Sequence, residues 1–290
     1  MEWGNLALVC AVYFAWLGSL ALNSVLHWGP SAAAIGIAIA WHGSLQHELL
    51  HGHPFGSQTL NNLLAHPPLA IRLPFFVYRR DHLRHHDTQW LTDPETDTES
   101  FYVTAETWSR FGPFGRAAAR FHHTLLGRVL IGPAVVFVRF ARAQLRELRS
   151  GDAEALRCWM CHIPSVAAVL FVALQLFGVE WWVYATAVYI GHSIMLVRSF
   201  LEHRWTEGAT TRCAMVHSGP FFSLLFLNNN LHDAHHMRPE VPWYRLPAVA
   251  AELGSDDRSM AGAGLYRSYA SVLRRHALTP FDEPLHPLER

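Results

Sequence analysis

The 290-residue chain contains no lysine, so all 23 of its basic side chains are arginine, and 23 acidic side chains balance them. A nucleic-acid-binding protein usually carries an excess of positive charge on one face, and a net charge of zero does not favour such a partner. Cysteine is also scarce, and its four positions lack the dense spacing of a secreted disulfide framework. The composition therefore predicts no nucleic-acid partner and no disulfide scaffold.

Hydrophobic residues make up 51% of the chain and concentrate in a few long runs. As helices, four of these runs are long enough to approach or exceed the thickness of a bilayer's hydrocarbon core, about 30 Å. The first run follows Glu2 and no arginine, which favours a retained anchor over a signal peptide. The sequence therefore predicts an all-α membrane protein with four transmembrane helices in two hairpins, at residues 5–27, 32–50, 160–177 and 181–201.

The distribution of arginine predicts the orientation of these helices. The short turns at residues 28–31 and 178–180 contain no arginine, whereas every arginine lies within residues 72–157 or 198–290. The positive-inside rule then places the two larger segments, and both termini, in the cytoplasm. We therefore expect a multi-pass protein of a bacterial inner membrane.

The remaining residues are predicted to form a helical cap on the cytoplasmic side. The apolar run at residues 125–138 is short, contains Gly132-Pro133 and is flanked by arginine, which favours an interfacial position over a membrane crossing. We expect one domain over residues 1–290, in which residues 54–157 and 203–290 form the cap that holds the functional site.

The 20 histidines are far more than a chain of this length usually carries, and many stand in a repeated pattern. His232, His235 and His236 stand at i, i+3 and i+4, so on a helix all three imidazoles project from one face. Imidazole binds iron, zinc, copper and nickel, and eight such ligands are too many for one ion. The pattern therefore predicts a two-metal site in which the other ligands are His82, His85 and His86, with the same spacing, and His47 and His51.

Each histidine group has an acidic neighbour that is a candidate to accept the second ring N–H of a ligand. Adjacent residues on a helix point in different directions, so we expect these acids to serve a histidine on a facing helix; the alternative is a solvated acidic rim. Further candidates are Asn228 or Asn230 for orienting a ligand or a metal-bound water. His192, about three turns before His203, either lines a substrate tunnel or is a satisfied polar residue between helices. The acidic candidates are Glu48, Asp81, Asp87, Glu202 and Asp233.

The three histidine groups resemble the histidine boxes of the integral-membrane fatty acid desaturase and hydroxylase superfamily. They read His47-x-x-x-His51, His82-x-x-His85-His86 and His232-x-x-His235-His236, and the last follows Asn-Asn-Asn-Leu. The resemblance covers about residues 41–247. It implies a non-haem centre of two iron ions, with His203 as a further ligand after the fourth transmembrane helix.

The same resemblance implies the reaction and its partners. Dioxygen would be the co-substrate, a lipid acyl chain or similar hydrocarbon the substrate, and a ferredoxin or rubredoxin with its reductase the electron donor. Fatty acid desaturation is the expected reaction. Hydroxylation, ketolation or oxidative decarboxylation of a hydrocarbon or carotenoid stays open, because His47-Glu48-x-x-His51 also resembles membrane alkane hydroxylases.

Two other classes of protein compete with this interpretation. A zinc protease would use His47, His51 and Glu48 as the general base, but the chain lacks the later aspartate motif of intramembrane zinc proteases and both H-x-x-H-H groups would stay unexplained. A non-catalytic metal-binding membrane protein is the second class. No motif specifies the substrate's chain length or head group, or the position of oxidation.

Overall fold

The computed structural model describes residues 1–208 and 211–289, so residues 209, 210 and 290 of the predicted cap lie outside the described residues. The described chain is mostly helical, as predicted, and its only regular sheet is a parallel pair of two-residue strands, β1 Met215–Val216 and β2 Leu265–Tyr266. The α-helices of these residues are α1 Trp3–Leu22, α2 Trp28–Leu50, α3 Gln58–Ala65, α4 Phe75–Asp87, α5 Ala105–Arg110, α6 Pro113–His122, α7 Leu125–Leu130, α8 Gly132–Arg149, α9 Ala153–Leu170, α10 Trp181–Arg198, α11 Pro220–Leu225, α12 His232–Met237, α13 Leu246–Glu252, α14 Ser255–Ala261 and α15 Tyr269–His276.

The chain divides into two compact units, each built from two stretches of sequence. Unit 1 comprises Met1–Arg79 and Pro133–Met195, and unit 2 comprises Arg80–Gly132 and Leu196–Arg290. The core of unit 1 is formed by apolar side chains from α1, α2, α9 and α10, which include Trp16, Leu20, Ile35, Ile39, Val169, Val183 and Ala187. A smaller core in unit 2 joins β1, α12 and α13 through Met215, Ala234, Leu246 and Val249.

Helices form at all four runs that were predicted to cross a membrane. Within residues 1–208 and 211–289, two segments are long and apolar enough to span a bilayer by length and composition, Trp3–Leu22 and Ala153–Leu176. The second consists of α9 and a π-helical continuation, Phe171–Leu176. The number of crossings stays a prediction.

The predicted boundaries of the first hairpin need correction. Helix α1 ends at Leu22 instead of residue 27, and α2 begins at Trp28 instead of residue 32. Pro30 is compatible with this early start because the N–H groups of a helix's first turn have no intrahelical partner to lose. The turn is closed by the Ser31 hydroxyl, which donates to Asn23 Oδ1 at 2.7 Å.

Two glycines allow α2 and α10 to pack closely within unit 1. A Cβ atom at Gly36 would lie 2.9 Å from the carbonyl oxygen of Ala187, and one at Gly191 would lie 3.0 Å from the carbonyl oxygen of Gly36. Small residues at facing positions let helix backbones approach, as in membrane helix pairs. The position of α2, whose last turn carries His47, therefore depends on this contact.

We expect Gly191→Leu to destabilise unit 1, because the new side chain would overlap Ile39 and the α2 backbone. Overpacking of this kind typically costs about 1–3 kcal/mol. Thermal unfolding in detergent, followed by circular dichroism, measures the loss. Gly18→Leu in α1 is the matched control, because a Cβ atom there meets nothing within 4 Å; an equal loss of stability in both variants would contradict the packing argument.

Candidate metal centre

Two groups of imidazoles form within unit 2, and both H-x-x-H-H boxes contribute to each. Group A contains His82, His86 and His235, and group B contains His85, His203, His232 and His236. Residues four apart on a helix point in nearly the same direction, whereas the residue three after the first lies to one side. Helix α4 therefore gives its i and i+4 histidines to group A and its i+3 histidine to group B. Helix α12 does the reverse.

The imidazole nitrogens within each group converge. In group A, His86 Nε2 lies 3.1 Å from His82 Nε2 and 3.0 Å from His235 Nε2. In group B, His203 Nε2 lies 2.9 Å from both His85 Nε2 and His232 Nε2. One ligand atom from each residue lies within 4.8 Å of the others in the same group. Distances this short suit atoms that share one central cation.

Hydrogen bonds at the opposite ring nitrogens indicate where the protons lie in group B. His232 Nδ1 lies 3.3 Å from the carbonyl oxygen of Asn229, which can only accept, and His85 Nδ1 lies 2.7 Å from Asp97 Oδ1. Neutral rings with Nδ1–H carry a lone pair on Nε2. His203 Nε2 carries either one proton or one lone pair, so it can form a hydrogen bond with at most one of His85 Nε2 and His232 Nε2, and at least one close contact is not a hydrogen bond.

His236, in group B, also has a ring nitrogen that suits a bound metal ion. Its Nε2 atom is buried and has no hydrogen-bond partner among the described residues. A buried polar atom without a partner is costly, and a bound metal ion would satisfy it together with the other lone pairs of group B. The residues present therefore fit a metal ion that prefers imidazole, a class that includes iron, zinc, copper and nickel.

Burial keeps most of these imidazoles neutral. It lowers the pKa values of His203, His232 and His236 well below the usual 6.5, and repulsion from neighbouring histidines lowers them further. The pKa of His86 is lowered to about 3 for the same reasons. Neutral imidazoles bind a metal without first releasing a proton, so these groups are ready ligands at neutral pH.

His85 behaves differently because two carboxylates lie close to it. Burial alone would lower its pKa, but the charges of Glu99 and Asp97 and the hydrogen bond that His85 donates to Asp97 outweigh burial and raise the pKa to about 9. A metal ion bound at His85 Nε2 would displace that proton. The Nδ1–H group would remain hydrogen-bonded to Asp97.

The carboxylates that contact Nδ1 of two α4 histidines were not among the predicted acidic residues. His82 Nδ1 lies 2.7 Å from Glu99 Oε1, and His85 Nδ1 lies 2.7 Å from Asp97 Oδ1. Both carboxylates belong to the acidic loop that follows α4. They stand 17 and 12 residues after the histidines they contact, so a search for acids adjacent to the boxes did not find them.

Four of the predicted acidic residues contact arginine or asparagine side chains, and one of these four, Glu202, also lies near a box histidine. In unit 2, Asp81 accepts from Arg80 at 2.8 Å, Asp233 accepts from Arg258 at 3.1 Å, and Asp87 is exposed. Glu202 pairs with Arg198 at 2.9 Å and lies 3.8 Å from His232 Nδ1. In unit 1, Glu48 accepts from Asn5 at 2.9 Å.

The two asparagines that were predicted to orient a ligand or a metal-bound water hydrogen-bond to backbone carbonyl groups and stabilise the segment before α12. Asn228 Nδ2 donates to the carbonyl oxygen of Trp243 at 2.9 Å, and Asn230 Nδ2 donates to that of Val216 at 2.7 Å. These bonds fix the segment that leads into the third box. A role for either side chain toward a metal-bound water stays a prediction.

The remaining predicted residues belong to unit 1. His47 lies in the last turn of α2, His51 caps that helix, and their ring centroids lie 4.9 Å apart. His192 accepts from Arg72 Nε at 2.9 Å, and its Nδ1–H donates to the carbonyl oxygen of Val188. Both ring nitrogens of His192 therefore have hydrogen-bond partners, which agrees with the predicted role of a satisfied polar residue between helices. A place for His192 in a substrate tunnel stays a prediction.

Comparison with known proteins agrees with the arrangement of histidines. Among curated proteins, no sequence matches this chain significantly. A family model described as fatty acid desaturase matches residues 23–265, well over half of the chain, and this range contains all three boxes and His203. Members of this family are membrane-associated oxidoreductases that act on lipids. The chain belongs to the fatty acid desaturase family.

Proposed function

We propose that this protein is a membrane-bound, dioxygen-dependent enzyme that oxidises a lipid acyl chain, and that the reaction is fatty acid desaturation. The observation that carries the proposal is the pair of separate imidazole groups in unit 2, each with converging Nε2 atoms. A single structural metal would need one group of about four ligands. Two groups are what a two-metal oxidation centre requires.

The proposed ligands divide between two iron ions. His85, His203, His232 and His236 would hold one ion, and His82, His86 and His235 would hold the other together with His47 and His51. The last two are assigned from the first histidine box, because unit 2 offers only three imidazoles in group A among its described residues. The side chains at the end of α2 suit this role, since a helix end places both imidazoles close together.

When bound, an iron pair supplies dioxygen activation and removal of hydrogen from an unactivated C–H bond. Conversion of a CH2–CH2 unit to a CH=CH unit releases two electrons and two protons. Reduction of dioxygen to two waters requires four of each, so an external donor must supply two electrons and the solvent two protons. A ferredoxin or rubredoxin with its reductase is the donor that we propose.

The proposal includes four membrane crossings by α1, α2, α9 with its π-helical continuation, and α10. Large apolar side chains on the outside of unit 1 support it, because soluble proteins rarely expose many together. Phe14, Ile163, Phe171 and Trp181 are each more than half exposed. The short turn within each hairpin lacks arginine, which supports placing both termini and the histidine boxes on the cytoplasmic side of a bacterial inner membrane.

Lipid analysis tests the reaction. The protein, coexpressed with a ferredoxin or rubredoxin and a reductase in a bacterium that lacks it, should produce acyl chains two hydrogens lighter, as measured by mass spectrometry of total lipids. A His85→Ala variant should produce none. Products that gain one oxygen would show that the reaction is hydroxylation instead of desaturation. Lipids identical to those of the variant would contradict enzymatic oxidation of acyl chains.

A further inference from the structure

We infer that the segment Asp97-Thr98-Glu99 is a clamp that orients one histidine of each metal group and sets the affinity of the two metal positions separately. The inference rests on the two-metal centre of the proposed function. Its basis is a pair of short contacts: Asp97 Oδ1 lies 2.7 Å from His85 Nδ1 in group B, and Glu99 Oε1 lies 2.7 Å from His82 Nδ1 in group A. A segment of three consecutive residues therefore contacts one imidazole of each group at Nδ1, the ring nitrogen opposite the converging Nε2 atom.

The clamp is held in one conformation by its own hydrogen bonds. The second oxygen of Asp97 accepts from the backbone N–H of Thr92 at 2.7 Å, and Asp97 Oδ1 also accepts from the N–H of Glu99 at 2.9 Å. Ser100 Oγ donates to the carbonyl oxygen of Thr92 at 2.6 Å. A carboxylate fixed in this way holds its imidazole at one angle, which a mobile side chain would not do.

A separate bond joins the clamp to the helix that it serves. Thr98 Oγ1 donates to the carbonyl oxygen of Asp81 at 2.8 Å, one residue before His82. The middle residue of the clamp therefore attaches to α4 while its two neighbours contact the imidazoles on that helix.

His82 and His85 differ from His232 and His203 in the charge of their nearest Nδ1 partners. The nearest partner of His232 Nδ1 is a neutral carbonyl oxygen at 3.3 Å, while the Glu202 carboxylate lies farther away at 3.8 Å and pairs with Arg198. The partner of His203 Nδ1 is a thiol, Cys213 Sγ, at 3.6 Å. Hydrogen bonds to a carboxylate are shorter and about twice as strong as neutral ones, and they make the imidazole a better donor to a metal. Each metal position thus has one ligand that is strengthened by charge from the clamp.

Two isosteric substitutions separate the two halves of the clamp. Asp97→Asn should weaken metal binding by group B, and Glu99→Gln should weaken it by group A, each by about 10- to 100-fold. Asp93→Asn is the matched control: Asp93 belongs to the same loop and accepts from the backbone N–H groups of Glu95 and Thr96, but it contacts no imidazole of either group.

Metal titration in two ligand-deficient backgrounds tests the assignment. Purified full-length protein is freed of metal and titrated anaerobically with cobalt(II) against a competing chelator, by visible absorption. In His203→Ala, only group A remains intact, so Glu99→Gln should lower the affinity 10- to 100-fold and Asp97→Asn should leave it unchanged. In His235→Ala, only group B remains intact, and the two results should exchange. Asp93→Asn should leave the affinity unchanged in both backgrounds.

Equal effects of both substitutions in each background, or none in either, would overturn the clamp. Thermal unfolding of the metal-free variants, followed by circular dichroism, separates an effect on metal binding from a folding defect. If Asp97→Asn does not fold, Glu99→Gln still tests the clamp, because the Glu99 side chain is 28% exposed and its position tolerates change. A wild-type protein that binds two cobalt ions but oxidises no lipid would refute the proposed function alone. An active wild type whose clamp variants bind cobalt normally would refute the clamp alone.

Discussion

Replacement of His203 by alanine should reduce lipid oxidation below about 1% of the wild-type rate and remove one of two bound irons. His203 Nε2 lies 2.9 Å from two other imidazole nitrogens of group B, so its loss leaves three histidines around one ion. Loss of an outer partner of a ligand already costs about 10- to 100-fold in affinity or activity, and loss of the ligand itself should cost more. Iron content, measured by elemental analysis of protein purified from cells grown in iron, checks the result.

His217→Ala is the control for this experiment. His217 lies in the same segment of unit 2, but its side chain is about half exposed and pairs with Asp256 at 2.9 Å, away from both groups. It should retain two irons and nearly full activity. If His203→Ala kept two irons and normal turnover, group B would not be a metal site.

His51→Ala should also abolish oxidation, and it tests the part of the proposed ligand set that unit 1 supplies. We expect the iron of group A to be lost while group B keeps its ion, because the four imidazoles that remain of the proposed five would bind the group A ion more weakly. Iron content and lipid products of the variant are measured together. A second variant, His51→Gln, keeps a polar side chain of similar length and should fail in the same way.

The control is His27→Ala, at the exposed turn before α2. Its activity and iron content should match the wild type, because His27 lies at the opposite end of that helix. Full activity in His51→Ala would remove the first histidine box from the centre and would leave His47 without its proposed partner.

The spacing of the second and third boxes was enough to predict their arrangement on helices, because i, i+3 and i+4 positions share a face. The division of each box between two groups followed only from the structure. This division depends on how α4 and α12 are rotated about their axes relative to each other. Packing in unit 2 sets that rotation, and the spacing of the histidines in the sequence does not encode it. The family resemblance supplied His203, a lone histidine without any repeated pattern around it.

The partners of the ligands could not be found from adjacency. Asp81 and Asp233 stand beside box histidines but turn away to Arg80 and Arg258, since neighbours on a helix point in different directions. Asp97 and Glu99 reach the boxes because the loop after α4 folds back along that helix. An alternating pair of acids in a loop that follows a histidine helix is the signal that could have revealed them.

The helices of unit 1 were predicted from apolar length, and their ends were the least accurate part. Trp28, Gly29 and Pro30 were interpreted as a turn, although proline is well tolerated in the first turn of a helix. The close packing at Gly36 and Gly191 was not predicted, because an isolated glycine in an apolar run gives no sign of which helix it faces.

The number of iron ions per chain in catalytically active protein tests the central claim most directly. The protein should be purified in detergent without chelators, and its iron and its lipid-oxidation rate should be measured on the same preparation. We expect activity to rise with iron content and to reach its maximum at two ions per chain. Full activity at one ion per chain, or in protein free of iron, would contradict a centre built from two groups of imidazoles.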